Sequence, residues 1–445
     1  MMTMITRSKK RRKKRCPSIA VFVLLVLTTC SALYTSCNFS TFIMPPHQPP
    51  QLRSNTTAEA HGRKTYPEEE QKQDVIMDIS TKSIEAGSHI NIPPPESRIG
   101  PNGEKGYIHN AKFLLENPKP LVLSDLERES ICAAPGEGDE TPLGYAALEN
   151  IRNHIEESKG KHDVELFCAI YTYSGGLNHT NAASETWAKR CDGVLYASDN
   201  SNLETGHVHL PSSSPSEFGY EGMIQRTRTI LAYLYDNFLD DYEFFHISGE
   251  DVFVIVENLK EFLATDFVKE YEKVPNQYIF AGFPMKHQYY KNDFLCGGPG
   301  YTMSRKMLKA FVEGPLQTCQ TKREGPNEDI MVSECAKLLN ENYFIDTRDS
   351  KGAHRYHPLS VQKHANFAPN GKLDFDAKVV HQSLQWMNKT FGFPAVYKDD
   401  YISNSSVVFH KTPAAAMRRL EVLLYMDRNE VCNDMETSRL ESIIK

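Results

Sequence analysis

The amino-acid sequence predicts an α/β fold, a mostly parallel sheet covered by helices on both faces. From Val164 onward, apolar runs without polar alternation (VELFCAIYTY, DGVLYAS, YEFFHI) recur between helical segments. Strands buried on both faces read in this unbroken way, and the helices between them supply the crossovers that a parallel sheet needs. The composition agrees. With 40% hydrophobic and 24% charged residues in a chain of 445, it suits one large domain with appendages and excludes wholesale disorder.

The formal charge is -7 although residues 7–15 alone carry eight Lys and Arg, so the rest of the chain is more acidic still. That balance argues against a nucleic-acid partner. Directly after the basic run, Cys16 to Pro46 holds no charged residue and Ile19 to Leu33 is strongly apolar. About twenty apolar residues span the hydrocarbon layer as a helix, and flanking Lys and Arg hold the amino end in the cytosol. We therefore expect a cytosolic tail over 1–16 and a signal-anchor helix over 17–44, giving a single-pass type II membrane protein with a lumenal bulk. A cleaved signal peptide is the alternative. Acceptor sequons at Asn38, Asn55, Asn178, Asn388 and Asn404 suit that compartment. Seven cysteines lie beyond the anchor, where disulfides persist. Their odd count leaves at least one thiol free or paired between chains, and no C-x-x-C spacing suggests zinc. Residues 45–140, which include PPHQPP and EEEQKQD, read as a largely disordered stem.

The domain expected over 141–400 opens on a helix, PLGYAALENIRNHIEES, with Tyr145, Leu148, Ile151 and Ile155 on one face. After the first strand, ASETWAKRC is helical, and DGVLYAS is the second strand. EGMIQRTRTILAYLYDNFL is then a long amphipathic helix that turns Ile224, Ile230, Leu231, Leu234 and Phe238 inward. Beyond YEFFHI come a helix (IVENLKEFLAT), a strand (QYIFAGFPMK), a strand with a Gly-rich turn (NDFLCGGPGYTMS), and helices in RKMLKAFVEG and NEDIMVSECAKLLN. AKVVH is strand-like. Residues 401–445 form a helical extension, with Met417, Leu420, Leu424 and Met426 available for packing or for self-association as a homodimer.

Four groups of residues could carry chemistry. Glu250 and Asp251 follow an apolar strand, the place where ligands bind in open sheets. Carboxylates there can hold a hard divalent cation on a diphosphate; taken alone, Asp251 reads first as the cap of a helix near Val254. Glu328 and Asp329 open a helix, where the dipole favours acids in any case, and where one of them could take a proton from an attacking hydroxyl. Asp329 near the ordinary pKa of about 4 would be ionised in a mildly acidic lumen. The glycine-rich turn from Cys296 to Ser304 lets the backbone approach a ligand or turn sharply. Among the histidines, His354, His357 and His364 read as packed or surface imidazoles. His381, ending a strand-like run, could complete a cation site with Asp251.

Taken in order, CAIYT, ETWAKRC, the helix beginning at QRT, the acidic tripeptide, GGPGYTMS, EDIMVSEC and DTRDSKGAHRYHP resemble the β1,3-glycosyltransferases of family 31, and most closely the core 1 β1,3-galactosyltransferases. The pattern covers roughly Val164 to Pro358, and Arg226 stands 25 residues before Asp251, where the family carries a Lys. The resemblance implies a GT-A fold with a Rossmann-like nucleotide-sugar domain, in a Golgi membrane protein. It implies transfer of a sugar from a UDP-sugar to the 3-hydroxyl of a glycan or glycoprotein acceptor, with inversion and with Mn2+. Carried over residue by residue, Asp251 is a metal ligand with Glu250 beside it, and His381 is the carboxyl-side ligand. Asp329 is the general base, Arg226 contacts the donor phosphates and Thr172 lies near the nucleotide. Gly297, Gly298, Tyr301 and Glu328 fall to the acceptor side or its loop, and Cys168 with Cys191 and Cys319 with Cys335 match family disulfides.

The chain departs from the family at Gly249, where the motif usually has Asp, and at Ile247, where Lys is common. Three readings follow. The first is a transferase of galactose from UDP-galactose to O-linked N-acetylgalactosamine of glycoproteins. The second keeps the chemistry but uses another donor, such as UDP-N-acetylglucosamine. The third is a non-catalytic, chaperone-like relative.

Overall fold

Strands of the central sheet are buried almost end to end because helices lie against both of its faces. The structure, a computed structural model, describes residues 110–433 except 134–141, 159, 161, 203–205, 211–221, 287–291, 320–326 and 368–373. All of these belong to the unit Ser83–Lys445. Two short helices come first, α1 (Phe113–Glu116) and α2 (Asp125–Cys132), then α3 (Pro142–Ser158). The first half of the domain runs β1 (Leu166–Tyr171), α4 (Leu177–Glu185), β2 (Gly193–Ser198), β3 (His207–His209), α5 (Met223–Phe238), β4 (Phe244–Gly249) and β5 (Val252–Val254). It continues with α6 (Val256–Leu263), α7 (Asp266–Lys273), β6 (Phe280–Ala281), β7 (Pro284–Met285), β8 (Phe294–Leu295), β9 (Tyr301–Ser304), α8 (Arg305–Glu313), α9 (Pro315–Thr318) and α10 (Glu328–Ala336). The last elements are β10 (Tyr356–His357), α11 (Val361–Ala365), α12 (Phe375–Phe391), β11 (Val408–His410) and α13 (Ala414–Tyr425).

The central sheet has the order β3-β2-β1-β4-β9-β6. β1 runs parallel to β2 and β4, and β2 parallel to β3; β9 is antiparallel to β4 and β6. This is the expected mixed α/β architecture with a largely parallel sheet. Successive residues of β1 feed opposite cores. Leu166, Cys168 and Ile170 join Leu148, Ile151 and Ile155 of α3 and Leu420 of α13 on one side. Phe167 and Ala169 join Ile230, Leu231 and Leu234 of α5 and Phe311 of α8 on the other. A second sheet, β10-β11-β5, carries the chain away from the end of β4: β11 is antiparallel to β5, with His410 opposite Val252, and parallel to β10.

Packing extends beyond both expected domain boundaries. Residues expected in the stem form α1 and α2, which bury Leu114 and Ile131, and Ser124 with Glu127 makes a capping box on α2. At the other end, β11 belongs to the second sheet, and Met417, Leu420 and Leu424 of α13 are buried inside the domain, with Met426 partly exposed. Helix α13 therefore packs within its own chain. A disulfide that the sequence did not suggest, Cys132–Cys432, ties α2 to the residues after α13. Cys168–Cys191 and Cys319–Cys335 are also bonded, and Cys296 is free. Among the described residues no helix is long and apolar enough to cross a membrane. The expected tail and anchor, residues 1–44, lie outside the described residues, as do Asn38 and Asn55 and the greater part of the expected stem. Asn178, Asn388 and Asn404 are exposed.

Two arginine–carboxylate clusters tie α13 to α2, to α4 and to the turn before β2. Arg190 donates two hydrogen bonds to Glu421 (2.9 and 2.6 Å) beneath the ring of Tyr425. Arg418 bonds Glu185 at 2.6 Å and Glu127 at 3.1 Å. The Glu421 side chain is 5% exposed, and Lys189 pairs with it at 3.7 Å without the two short hydrogen bonds that Arg190 makes. Arg190→Ala should therefore cost about 3 kcal/mol, because it strands a buried carboxylate. A urea midpoint equal to that of the wild type would show that the cluster contributes nothing.

Candidate functional site

A cavity of about 1020 Å3 opens at the carboxyl ends of β1 and β4. Strand β4 stops at Gly249 because Glu250 and Asp251 turn the chain into β5, so both carboxylates stand at the rim. Asp251 does not cap a helix: β5 intervenes, and α6 begins after Ile255 with no side-chain cap. The antiparallel pairing of β5 with β11 delivers His410 instead, with Nε2 at 3.3 Å from Asp251 Oδ2. His410 Nδ1 lies 3.0 Å from the Pro358 carbonyl. An Nδ1–H donated to that carbonyl orients the ring so that Nε2 faces Asp251, as an N–H donor to the carboxylate or, once that proton is lost, as a lone pair for a cation. Burial acts to raise the Asp251 carboxyl, but the hydrogen bond and charge of His410 outweigh it and hold the group below its ordinary value.

A carboxylate oxygen and an imidazole nitrogen that face one another suit a divalent cation whose other positions are filled by water or by a ligand's phosphate oxygens. Among the described residues no three His, Cys, Asp or Glu side chains form a fuller set. The residues fit a two-ligand protein site. His381 is not part of it. It sits in the middle of α12 rather than at a strand end, its Nδ1 lies 3.0 Å from the Tyr397 hydroxyl, and it does not line the cavity. The reason is local: Asp374 caps α12 by accepting from the Ala377 amide, and Ala377, Val380, Leu384 and Met387 bury at helical spacing.

Beside Asp251, the Thr172 hydroxyl donates to Glu250 Oε2 and the Thr172 carbonyl accepts from Arg226 Nη1 at 3.0 Å. Burial raises the Glu250 carboxyl against the opposing bond from Thr172. Burial also lowers Arg226, with Asp199 and Glu250 acting to keep it charged. Asp199, at the end of β2, accepts from the Ser174 amide at 2.6 Å and so shapes the turn before α4, while His179 lines the same wall.

The same cavity holds the second acidic pair. Asp329 Oδ2 accepts from the Gly297 amide at 3.0 Å and Oδ1 from the Ile330 amide at 2.8 Å, which fixes the carboxylate plane. Glu328 is buried and Asp329 half-buried. Burial first, and the charge of Asp329 second, push Glu328 well above the carboxylate range. Burial also raises Asp329, moderated by its two amide donors, so it is not held at the ordinary value expected from the sequence. The paired glycines are explained by close approach. A Cβ on Gly297 would stand 2.4 Å from Glu328 Oε1, and one on Gly298 2.4 Å from His410 Nδ1. Tyr301 is set apart from this group. It is buried in β9 against Phe280 and does not line the cavity. The free thiol of Cys296 lies in the cavity wall, with its pKa raised by burial.

The structure thus brings Thr172, Arg226, Glu250, Asp251, Gly297, Gly298, Glu328 and Asp329 around one cavity and leaves out His381 and Tyr301. His410, Asp199, His179 and Tyr171 were not singled out from the sequence, although Tyr171, Asp199 and His410 each end or directly follow an apolar run (CAIY, GVLYAS and VVFH).

Comparison with known proteins bears on this arrangement. The glycoprotein-N-acetylgalactosamine 3-beta-galactosyltransferase 1 of Xenopus laevis is 24% identical over 275 residues, 61% of this chain and 69% of that protein. The chain resembles the β1,3-galactosyltransferases at the level of the family. No family model matches it.

Proposed function

We propose that the chain is an inverting glycosyltransferase of GT-A type that moves galactose from UDP-galactose, in β1,3 linkage, to O-linked N-acetylgalactosamine of glycoproteins. The observation that carries this reading is the division of one cavity between a backbone-oriented carboxylate, Asp329, and a second polar wall built from Asp251, His410 and Arg226. Inversion needs a single in-line displacement at the anomeric carbon, and so a base on one side and stabilisation of a departing diphosphate on the other. Asp329 takes the proton from the acceptor hydroxyl as that oxygen attacks. Arg226 faces the departing phosphates, and Thr172 with Glu250 shapes the nucleotide wall. Mn2+, held by Asp251 and His410, would supply charge neutralisation on the diphosphate. Golgi residence, anchored by residues 17–44, belongs to the same reading.

The Xenopus relative acts on glycoprotein N-acetylgalactosamine by its name, which is why galactose on that acceptor leads. The test is UDP release by the purified full-length chain with Mn2+, using UDP-galactose or UDP-N-acetylglucosamine against glycopeptides bearing N-acetylgalactosamine. Turnover with UDP-galactose alone supports the proposal. Turnover only with UDP-N-acetylglucosamine keeps the chemistry and changes the donor. Gly249 favours a second reading, a non-catalytic relative, which no turnover with either donor would establish.

A further inference from the structure

Gly249 leaves the acidic tripeptide one carboxylate short, and the fold gives that glycine a specific neighbour. In the parallel pairing of β1 with β4, Tyr171 stands opposite Gly249. A Cβ built on Gly249 would lie 3.2 Å from Tyr171 Cε2 and 3.2 Å from Asp251 Oδ1, inside ordinary van der Waals separation. Gly249 is not among the glycines with positive φ, so its backbone would accept a side chain. Two groups stand in the way, the ring of Tyr171 and the carboxylate of Asp251, and of these only the ring is dispensable to a cation site. That ring forms part of the cavity wall, with its hydroxyl 3.5 Å from the Gly297 carbonyl.

We propose that Tyr171 and Gly249 form a size-matched pair that restricts the cation site to one carboxylate and one imidazole, Asp251 and His410, so that a divalent ion is taken up together with the nucleotide diphosphate. The inference rests on the proposed function. A hard cation seeks about six oxygen or nitrogen ligands, and its affinity grows with the number of charged ones. Two protein ligands leave the bare ion weakly held until phosphate oxygens add their charge. An acid at position 249 would enter beside Asp251 and hold the bare ion more strongly, but only if the residue at 171 made room.

The test is calorimetric titration of the full-length chain with MnCl2, alone and with UDP. It compares the wild type, Gly249→Asp, Tyr171→Val/Gly249→Asp and Tyr171→Phe/Gly249→Asp, each with its melting temperature. The wild type should bind Mn2+ at least about tenfold more tightly with UDP than without. The valine double variant should bind Mn2+ alone about tenfold more tightly than the wild type and lose most of the dependence on UDP. The single variant and the phenylalanine double variant should gain nothing and melt below the wild type, because the ring still meets the new carboxylate. Equal gain in Gly249→Asp and the valine double variant, or no gain in the latter, overturns the pairing. If the valine variant does not fold, Tyr171→Leu/Gly249→Asp takes its place with the same two outcomes. A wild type that binds Mn2+ but not UDP would refute the proposed function while leaving the comparison of bare-ion affinities valid.

Discussion

Asp329→Asn should lower sugar transfer by about a thousandfold while UDP affinity stays nearly unchanged. The asparagine keeps the size of the side chain and one oxygen for the Gly297 or Ile330 amide, but it cannot accept the acceptor's proton. Asp329 makes no hydrogen bond to Asp251, Arg226 or Thr172, so the donor should still bind. A second signature follows from the environment of the pair. Burial raises Asp329 above the ordinary aspartate value, so kcat/KM should rise with pH through that shifted value and fall on its acid side. In Asp329→Asn that acid limb should vanish from the residual rate. Its neighbour is the control. Burial pushes Glu328 well above the carboxylate range, a shift that favours the neutral form glutamine mimics, so Glu328→Gln should cost tenfold or less. Steady-state kinetics of the two variants checks the assignment. If Glu328→Gln is as damaging as Asp329→Asn, the base has been assigned to the wrong carboxylate.

Much of this site was legible in the sequence because its chemistry is placed by local structure. Glu250 and Asp251 follow an apolar strand directly, and Glu328 and Asp329 open a helix, so strand ends and helix starts locate them without knowledge of the tertiary fold. The histidine was not legible. AKVVH at His381 and VVFH at His410 are the same kind of short apolar run ending in imidazole, and four residues cannot separate strand from helix. What separates them is distant. The Asp374 cap and the buried face of α12 settle the first, while pairing of β11 with β5 settles the second. The reach of α13 was hidden for a similar reason. Its apolar face is visible, but its polar partners are Arg190, Glu185 and Glu127, and the Cys132–Cys432 bridge closes just beyond it. Only the folded topology brings these together.

Stability should fall by roughly 3–5 kcal/mol between pH 7.5 and pH 5.0, driven by four histidines that the fold keeps neutral. His246, His354, His357 and His364 are each 2% exposed or less. His364 and His354 stack on Tyr401 at 4.5 and 4.9 Å, and His357 stacks on Phe409 at 4.4 Å with His364 at 5.2 Å. Burial lowers His246 and His354 to about 3, and burial with neighbouring imidazoles puts His357 and His364 well below the ordinary value. In the unfolded chain each titrates near 6.5, so below that pH the unfolded state binds more protons and stability drops with falling pH. Glu328 works in the opposite direction. Its raised carboxyl binds its proton more tightly in the folded chain than in the unfolded one, which favours the folded state toward acid and offsets part of the slope. Urea midpoints across this range measure the net effect, and His246→Phe should reduce the slope by close to one proton. A midpoint that does not move would mean that the imidazoles are hydrated and charged in the fold. The consequence reaches the site, because the carbonyl that orients His410 belongs to Pro358, directly after His357, and Phe409 directly precedes His410. Protonation that loosens the cluster should therefore release the imidazole from Asp251 and weaken cation and UDP binding at a pH where the rest of the domain is still folded.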